Sequence, residues 1–562
     1  MRDGNDRRLG ISSLKRPVYP DSSTLRSEER YPPSPLLSLP DYSPDLDLRR
    51  RSLAEPSSDR DDSQCPKILI VTPEITYLPR GMGNLAQRMS AKAGGLADVS
   101  ASLVNALHSQ GARVHVALPN YARMFDFDSH ERFQHAFDKV NREIPEQRIH
   151  LAEDRVFYYQ SEVYSPSENH NIALAFQREV INHTIPEVRP DLIHCNDWMT
   201  GLIPAAAKRH GIKCLFTIHN IHTEKLTLQT IEDRGIDAAD FWSRCYYLRQ
   251  PQNYEETREQ NPVDLLTTGI FASDHVNSVS PTFLSEMVDG HHEFVPGHIG
   301  HELRQKCEAG CASGILNAPD PSFDPRKDLY LDCHYGPEDH AEGKRNCKTQ
   351  LQQALGLRSD PEAPLFFWPS RLDPVQKGPQ LLAEILHQVT SDYAQLGLQL
   401  AIVANGEFRQ HFHDIVNRHG IYDRVAVAPF SEALSHLAYA AADFMIMPSR
   451  FEPCGLPQMV SPKYGTLTLA HDTGGIHDTV DPLNVEEDTG NGFLFRNFDS
   501  DGLRWTIDEA IRFHQLPKSV RHRQLARIMS EAEQRFNHAT TAANYIDLYE
   551  RMLDRPVTAP EA

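Results

Sequence analysis

The sequence lacks long hydrophobic runs. Nothing in its 562 residues approaches the roughly 18 consecutive apolar residues that a membrane-spanning helix needs. Positive charge is also short: Lys and Arg number 57 against 77 Asp and Glu, for a formal charge of -20. Such a chain repels phosphate backbones and anionic lipid, so nucleic-acid or membrane-surface binding is not expected. Cysteine is sparse. Nine residues, an odd number scattered from Cys65 to Cys454, do not make a disulfide framework and suggest a reducing compartment. Cys307 with Cys311, and Cys333 beside His334, lack the second paired half of a zinc finger, so free thiols are expected there. There is no Gly-Lys-Ser/Thr phosphate loop and no Gly-x-Gly-x-x-Gly fingerprint.

Residues 1–66 lack an apolar period and carry 9 Pro and 12 Ser. They cannot bury enough surface to offset ordering entropy and read as a disordered tail. They have neither the apolar core of a secretory signal nor the acid-poor composition of a transit peptide, so a cytoplasmic location is expected.

What is present is a succession of short apolar runs. Lys67-Ile-Leu-Ile-Val-Thr-Pro73 comes first, followed by 112–118, 191–195, 214–218 and 275–279. A second set occupies 365–368, 400–403, 425–428, 444–447 and 467–470. Helical patterns intervene, as at 95–107 and 379–393, which indicates parallel α/β units. A Pro/Asp-rich stretch at 317–326 separates the sets. Two doubly wound domains are expected, with ligands beyond the carboxyl ends of their strands and a cleft between them.

Four places at strand ends carry candidate chemistry. Lys92-Ala-Gly-Gly-Leu-Ala-Asp98 sets Gly94 and Gly95 at a helix entrance, suited to an anion or merely to a tight turn. Asp197 follows one strand, as a sugar-hydroxyl acceptor or as a helix cap, and His219 ends the next. Arg371 and Lys377 follow a third strand and suit a diphosphate or a solvated loop. Ser449-Arg-Phe-Glu-Pro-Cys-Gly-Leu-Pro-Gln458 offers Glu452, a carboxylate for sugar hydroxyls or for a developing positive centre. Thr473-Gly474-Gly475 repeats the strand, Gly-Gly, helix pattern and is expected to help position a nucleotide.

Taken in order, these motifs resemble the bacterial glycogen synthases and plant starch synthases, retaining glucosyltransferases of the GT-B fold. Phe216-Thr-Ile-His-Asn220, Ser278-Val-Ser-Pro-Thr282 and Gly314-Ile-Leu-Asn317 add to the match, as do Lys348–Leu357 and Thr473–Val480. The resemblance covers about residues 67–555. It implies two facing Rossmann-like domains, with a C-terminal helix returning to the first. The corresponding boundaries are a tail at 1–66, an acceptor-side domain at 67–325, a connection at 326–360, a nucleotide-sugar domain at 361–534 and a crossover with tail at 535–562.

The activity implied is transfer of glucose from ADP-glucose to the non-reducing end of an α-1,4-glucan. Lys92, with Gly94 and Gly95, would bind the donor. Arg371 and Lys377 would neutralise the departing diphosphate, and Glu452 would meet the donor glucose. Cys454, Gly455, Leu456, Thr473, Gly474 and Gly475 would line the donor site. His219 would stand beside the reacting sugar and Asp197 on the acceptor side. No metal, cofactor or covalent nucleophile is implied. The sequence departs from the family between residues 74 and 91, after Asn220, at Thr267-Thr268-Gly269 and within 373–376, and residues 140–190 are too short and divergent to place the family's acceptor tyrosine, for which Tyr164 is a guess. Other readings keep the fold with UDP-glucose or another acceptor, or make the protein a silent glucan-binding homologue.

Overall fold

A computed structural model describes residues 65–79, 81, 82, 86, 90–125, 148–165 and 167–559. The tail expected at 1–66 lies almost wholly outside them, as do parts of the 74–91 insertion.

Two parallel sheets organise the chain. The first contains β1 (Lys67–Val71), β2 (Arg113–Pro119), β3 (Ile149–Ala152), β4 (Leu192–Asn196) and β5 (Lys213–Ile218). After a short antiparallel ribbon of β6 (Lys225–Leu226) and β7 (Val263–Asp264), it is completed by β8 (His275–Ser278) and β9 (Ala312–Gly314). Its order is β3-β2-β1-β4-β5-β8-β9. The second contains β10 (Leu365–Trp368), β11 (Gln399–Val403), β12 (Val425–Ala428), β13 (Phe444–Met447), β14 (Leu467–His471) and β15 (Gly492–Phe495), in the order β12-β11-β10-β13-β14-β15.

The central strands are the continuous apolar runs seen in the sequence. Ile68 to Val71 and Phe444 to Met447 are all buried, as strands covered by helices on both faces must be. The edge strands β3, β9, β12 and β15 are short and keep half-buried positions. Parallel register aligns Ile70 with Val116 on one side and His194 on the other.

The helices used below are α1 (Gly95–Ser109), α2 (Pro281–Asp289), α3 (His340–Leu355), α4 (Pro379–Asp392), α5 (Glu432–Ala441), α6 (Gly474–Thr479), α7 (Lys518–Arg535) and α8 (His538–Leu553). In α1, Leu96, Val99, Leu103 and Leu107 recur at helical spacing and are buried, which fixes its inner face. The segment Thr267-Thr268-Gly269 lies on a helix packed against the first sheet. A Cβ on Gly269 would stand 2.3 Å from the Phe216 ring, so close approach there requires glycine. Both threonines are buried, and Asp264 accepts from Thr267 N and Oγ1.

The last helix returns to the first lobe. α8 packs on α1, and Tyr545 and Tyr549 are buried in the first core. The Tyr549 hydroxyl lies 2.8 Å from His194 Nδ1, and Tyr545 accepts from Asn277 Nδ2 at 3.0 Å. Burial holds the His194 ring neutral, with its pKa lowered to about 3.

Candidate active site

In both sheets the strand order reverses beside the first strand of the domain, between β1 and β4 and between β10 and β13. These are the switch points at which adjacent loops diverge and leave a crevice. Glu74 follows β1, Asp197 follows β4 and His219 follows β5. Arg371 and Lys377 follow β10, and Glu452 follows β13.

On the first lobe, Asp197 adopts φ 58° and ψ -179°, a conformation open in practice only to glycine. Its buried carboxylate accepts from His219 N at 2.7 Å and from Asn220 Nδ2 at 2.9 Å. It therefore braces the turn after β5 and does not cap the helix that begins at Ile203. Burial raises its pKa to about 7 against the opposing backbone bonds. His219 Nε2 lies 2.9 Å from Asn196 Oδ1, and the Asn196 amide is fixed by donating to Val71 O at 3.1 Å. The ring therefore carries its proton on Nε2 and leaves Nδ1 as acceptor. Burial lowers the His219 pKa to about 3, so the imidazole is neutral.

Glu74 went unnoticed in the sequence. Its buried carboxylate accepts from Ala93 N at 2.7 Å and Gly94 N at 3.1 Å, and Tyr164 donates to it at 3.3 Å. The first N–H groups of the Gly-Gly loop thus have an internal anion. Lys92 pairs with Asp98 at 2.7 Å and keeps a half-exposed side chain. Burial works against the Lys92 ammonium, but Asp98 outweighs it, and Glu432 of α5 adds to the same field from the second lobe. The lobes also meet at Gly95, whose Cβ position lies 3.6 Å from Leu456 Cδ1.

On the second lobe, Lys377 donates to Glu452 Oε2 at 2.6 Å, with side chains only 13% and 8% exposed. Arg371 is exposed and has no ion-pair partner among the described residues. The Glu452 segment rests on the Gly-Gly turn. Gly475 N donates to Glu452 O at 2.9 Å, and a Cβ on Gly474, at φ +47°, would lie 2.1 Å from that oxygen. Cys454 is buried and its thiol is pushed up to about 12, so it stays protonated and is no nucleophile.

The Gly-Gly turn also holds the lobes together. Glu286 of α2 accepts from Gly474 N at 2.9 Å and Thr473 Oγ1 at 3.2 Å. Asp478 of α6 accepts from Ser280, from Thr282 N at 3.1 Å and from Thr282 Oγ1 at 2.6 Å. The N–H groups of Gly474 and Gly475 are therefore occupied by protein acceptors.

Known proteins resemble this chain along most of its described length. Residues 67–303 match the starch synthase catalytic domain family and residues 352–525 match the glycosyl transferases group 1 family. A glycogen synthase from Exiguobacterium sibiricum is 32% identical over 495 residues, covering 82% of this chain and 95% of that protein. The chain belongs to the glycogen synthase family. It is a glycosyltransferase. The Bacillus subtilis glycogen synthase is 31% identical, over 75% of this chain and 88% of its own. Among solved structures, the catalytic domain of starch synthase IV from Arabidopsis thaliana, bound to ADP and acarbose, superposes with a TM-score of 0.68. The identity is 24%, and the match covers 87% of this chain and all of that one. A sucrose-phosphate synthase from Thermosynechococcus elongatus follows at TM-score 0.53 and 18% identity, covering 87% and 99%. These place the fold as GT-B. No helix among the described residues is long and apolar enough to cross a membrane.

Proposed function

We propose that this enzyme extends an α-1,4-glucan by transferring glucose from ADP-glucose to the 4-OH of its non-reducing end, with retention. The observation that carries the reading is the buried Lys377–Glu452 pair at the switch point of the second sheet, with Arg371 left without an ion-pair partner among the described residues. Arg371 and Lys377 bind the donor diphosphate, and Glu452 meets hydroxyls of the donor glucose. Lys92, Gly94 and Gly95 close on the donor from the first lobe. Cys454, Gly455 and Leu456 shape the pocket, while Thr473, Gly474 and Gly475 support that loop. His219 and Asp197 face the reacting sugar on the acceptor side.

Cleavage of the C1–O bond to phosphate builds positive charge on the glucose and negative charge on the diphosphate. Cations already in place act on the group where charge develops. The acceptor oxygen attacks C1 from the face the phosphate leaves, and its proton passes to the departing phosphate oxygen. Neutral His219 accepts a hydrogen bond at Nδ1 without adding a charge that would oppose the cationic sugar. Closure of the lobes excludes water, so transfer outcompetes hydrolysis.

A donor panel of ADP-glucose and UDP-glucose with labelled glucose and a glycogen primer tests the reading. Primer lengthening with ADP-glucose preferred is expected. Glucan binding without turnover on either donor would overturn it, as would a trapped glucosyl adduct on Glu452.

A further inference from the structure

Away from the cleft, the second lobe gathers positive charge where an acidic protein has least reason to. Asp443 precedes β13 and Pro361 precedes β10, so the pocket they line sits at the amino ends of the strands, opposite Arg371 and Glu452. Its volume is about 350 Å³. The first turns of α3 and α7 converge on it, helices of 16 and 18 residues. Neither has a side-chain cap, and the first turn of α7 has no acidic residue. Instead α7 places Lys518 and Arg521 at its positive end, the unfavourable end for a cation.

Against Lys344, Arg345, Lys348, Lys518 and Arg521 the lining sets Glu342, in the first turn of α3, with Glu362 and Asp443, so the charges do not balance. Lys348 is spent on Asp443 at 2.6 Å, and Lys344 on three carbonyls and Thr466. Glu362 is shared between Lys518 at 2.8 Å and Arg345 at 3.7 Å. The Arg521 side chain forms no hydrogen bond or close ion pair among the described residues, and its Nε is buried without a partner. His340 is 4% exposed; its Nδ1–H donates to Pro337 O at 2.8 Å, and its Nε2 is buried with no partner. Buried polar atoms left open in this way ask for a ligand.

We propose that this pocket binds a small phosphate monoester. The guanidinium groups of Arg521 and Arg345 and the uncapped N–H groups of the two helices meet its oxygens. His340 Nε2 accepts the remaining P–O–H proton of the hydrogen-phosphate form. The cavity exceeds a bare phosphate and leaves room for a few carbons. α3 lies where the chain enters the second lobe and α7 where it leaves, so the ligand joins the two helices that flank the crossings.

Calorimetric titration of the full chain with inorganic phosphate and with glycerol 3-phosphate tests this, because the donor site is the competing anion site. In Arg371→Ser/Lys377→Ser, binding of the monoester with a Kd of roughly 5 mM or tighter is expected to persist. In Arg345→Ser/Arg521→Ser it is expected to weaken at least about tenfold while basal glucosyl transfer is retained. The charge-keeping Arg345→Lys/Arg521→Lys variant, checked for an unchanged thermal unfolding profile, is expected to recover part of the binding. The proposal is overturned if binding disappears only in the donor-site variant, or if neither probe gives saturable heat. It is also overturned if phosphate binds and the monoester does not.

Discussion

Replacing Lys377 separates stability from catalysis. The ammonium sits 2.6 Å from Glu452 Oε2, and both side chains are close to nine-tenths buried. Lys377→Ala leaves a carboxylate with little water and no partner. Breaking a buried pair costs 3–5 kcal/mol, and the residual exposure here argues for about 3 kcal/mol. On the proposed reading the same substitution also removes a cation from the leaving diphosphate. Preorganised groups of that kind supply roughly 2.7–4 kcal/mol of transition-state stabilisation, so kcat should fall about 10²- to 10³-fold. The double variant Lys377→Met/Glu452→Gln removes both charges and fills the space. It should regain most of the lost stability, because no uncompensated charge remains. It should regain none of the activity. Urea unfolding midpoints report the first quantity and initial rates of primer extension the second. If Lys377→Ala keeps more than about a tenth of wild-type turnover, or the double variant recovers it, the pair is structural only and the leaving-group assignment is wrong.

Further expectations follow from single residues. His194 stays neutral when folded, with a pKa near 3, whereas the unfolded chain protonates it below about 6.5. The part of the stability that rests on neutral His194 should therefore fall as pH drops, by about 1.7 kcal/mol between pH 6.5 and 5, and His194→Gln should remove that part of the slope in urea melts while the equal part from His219 remains. Asp197→Gly and Asp197→Ala should both lose activity with the brace on His219. The glycine variant should unfold later, by about 1–2 kcal/mol, because it accepts φ 58° without strain. Gly474→Ala forces a methyl to within 2.1 Å of Glu452 O, so turnover should drop at least about tenfold in the primer assay while the first lobe keeps its near-UV signature.

The core strands were legible because burial on both faces leaves continuous apolar runs, and Leu365–Trp368 and Phe444–Met447 coincide with theirs. The positions of Asp197, His219, Arg371, Lys377 and Glu452 followed from the strands that precede them. Of the edge strands, β12 was legible from its run at 425–428, whereas β3, β9 and β15 were not, being only three or four residues long and interrupted by His or led by Gly or Ala-Ser. Glu74 was missed because its partners lie 19 and 20 residues away across a connection of unusual length. The Glu286 and Asp478 contacts span nearly 200 residues, and no local pattern announces them. The conformation of Asp197 was hidden for a different reason. Nothing in an Asn-Asp-Trp triplet signals a backbone angle that the residue tolerates poorly on its own.

The return of α8 to the first lobe has a consequence for biosynthesis. A ribosome delivers Ile68–Val71 early and Tyr545 and Tyr549 some 475 residues later, yet all of them share one core. Until the final helix emerges, His194 lacks the Tyr549 hydroxyl and the groove beside α1 stays open to water. The second lobe, held between the two crossings, has every element of its sheet before that moment. The lobe made first is thus the last to be finished, and during synthesis it is the one that exposes apolar surface longest.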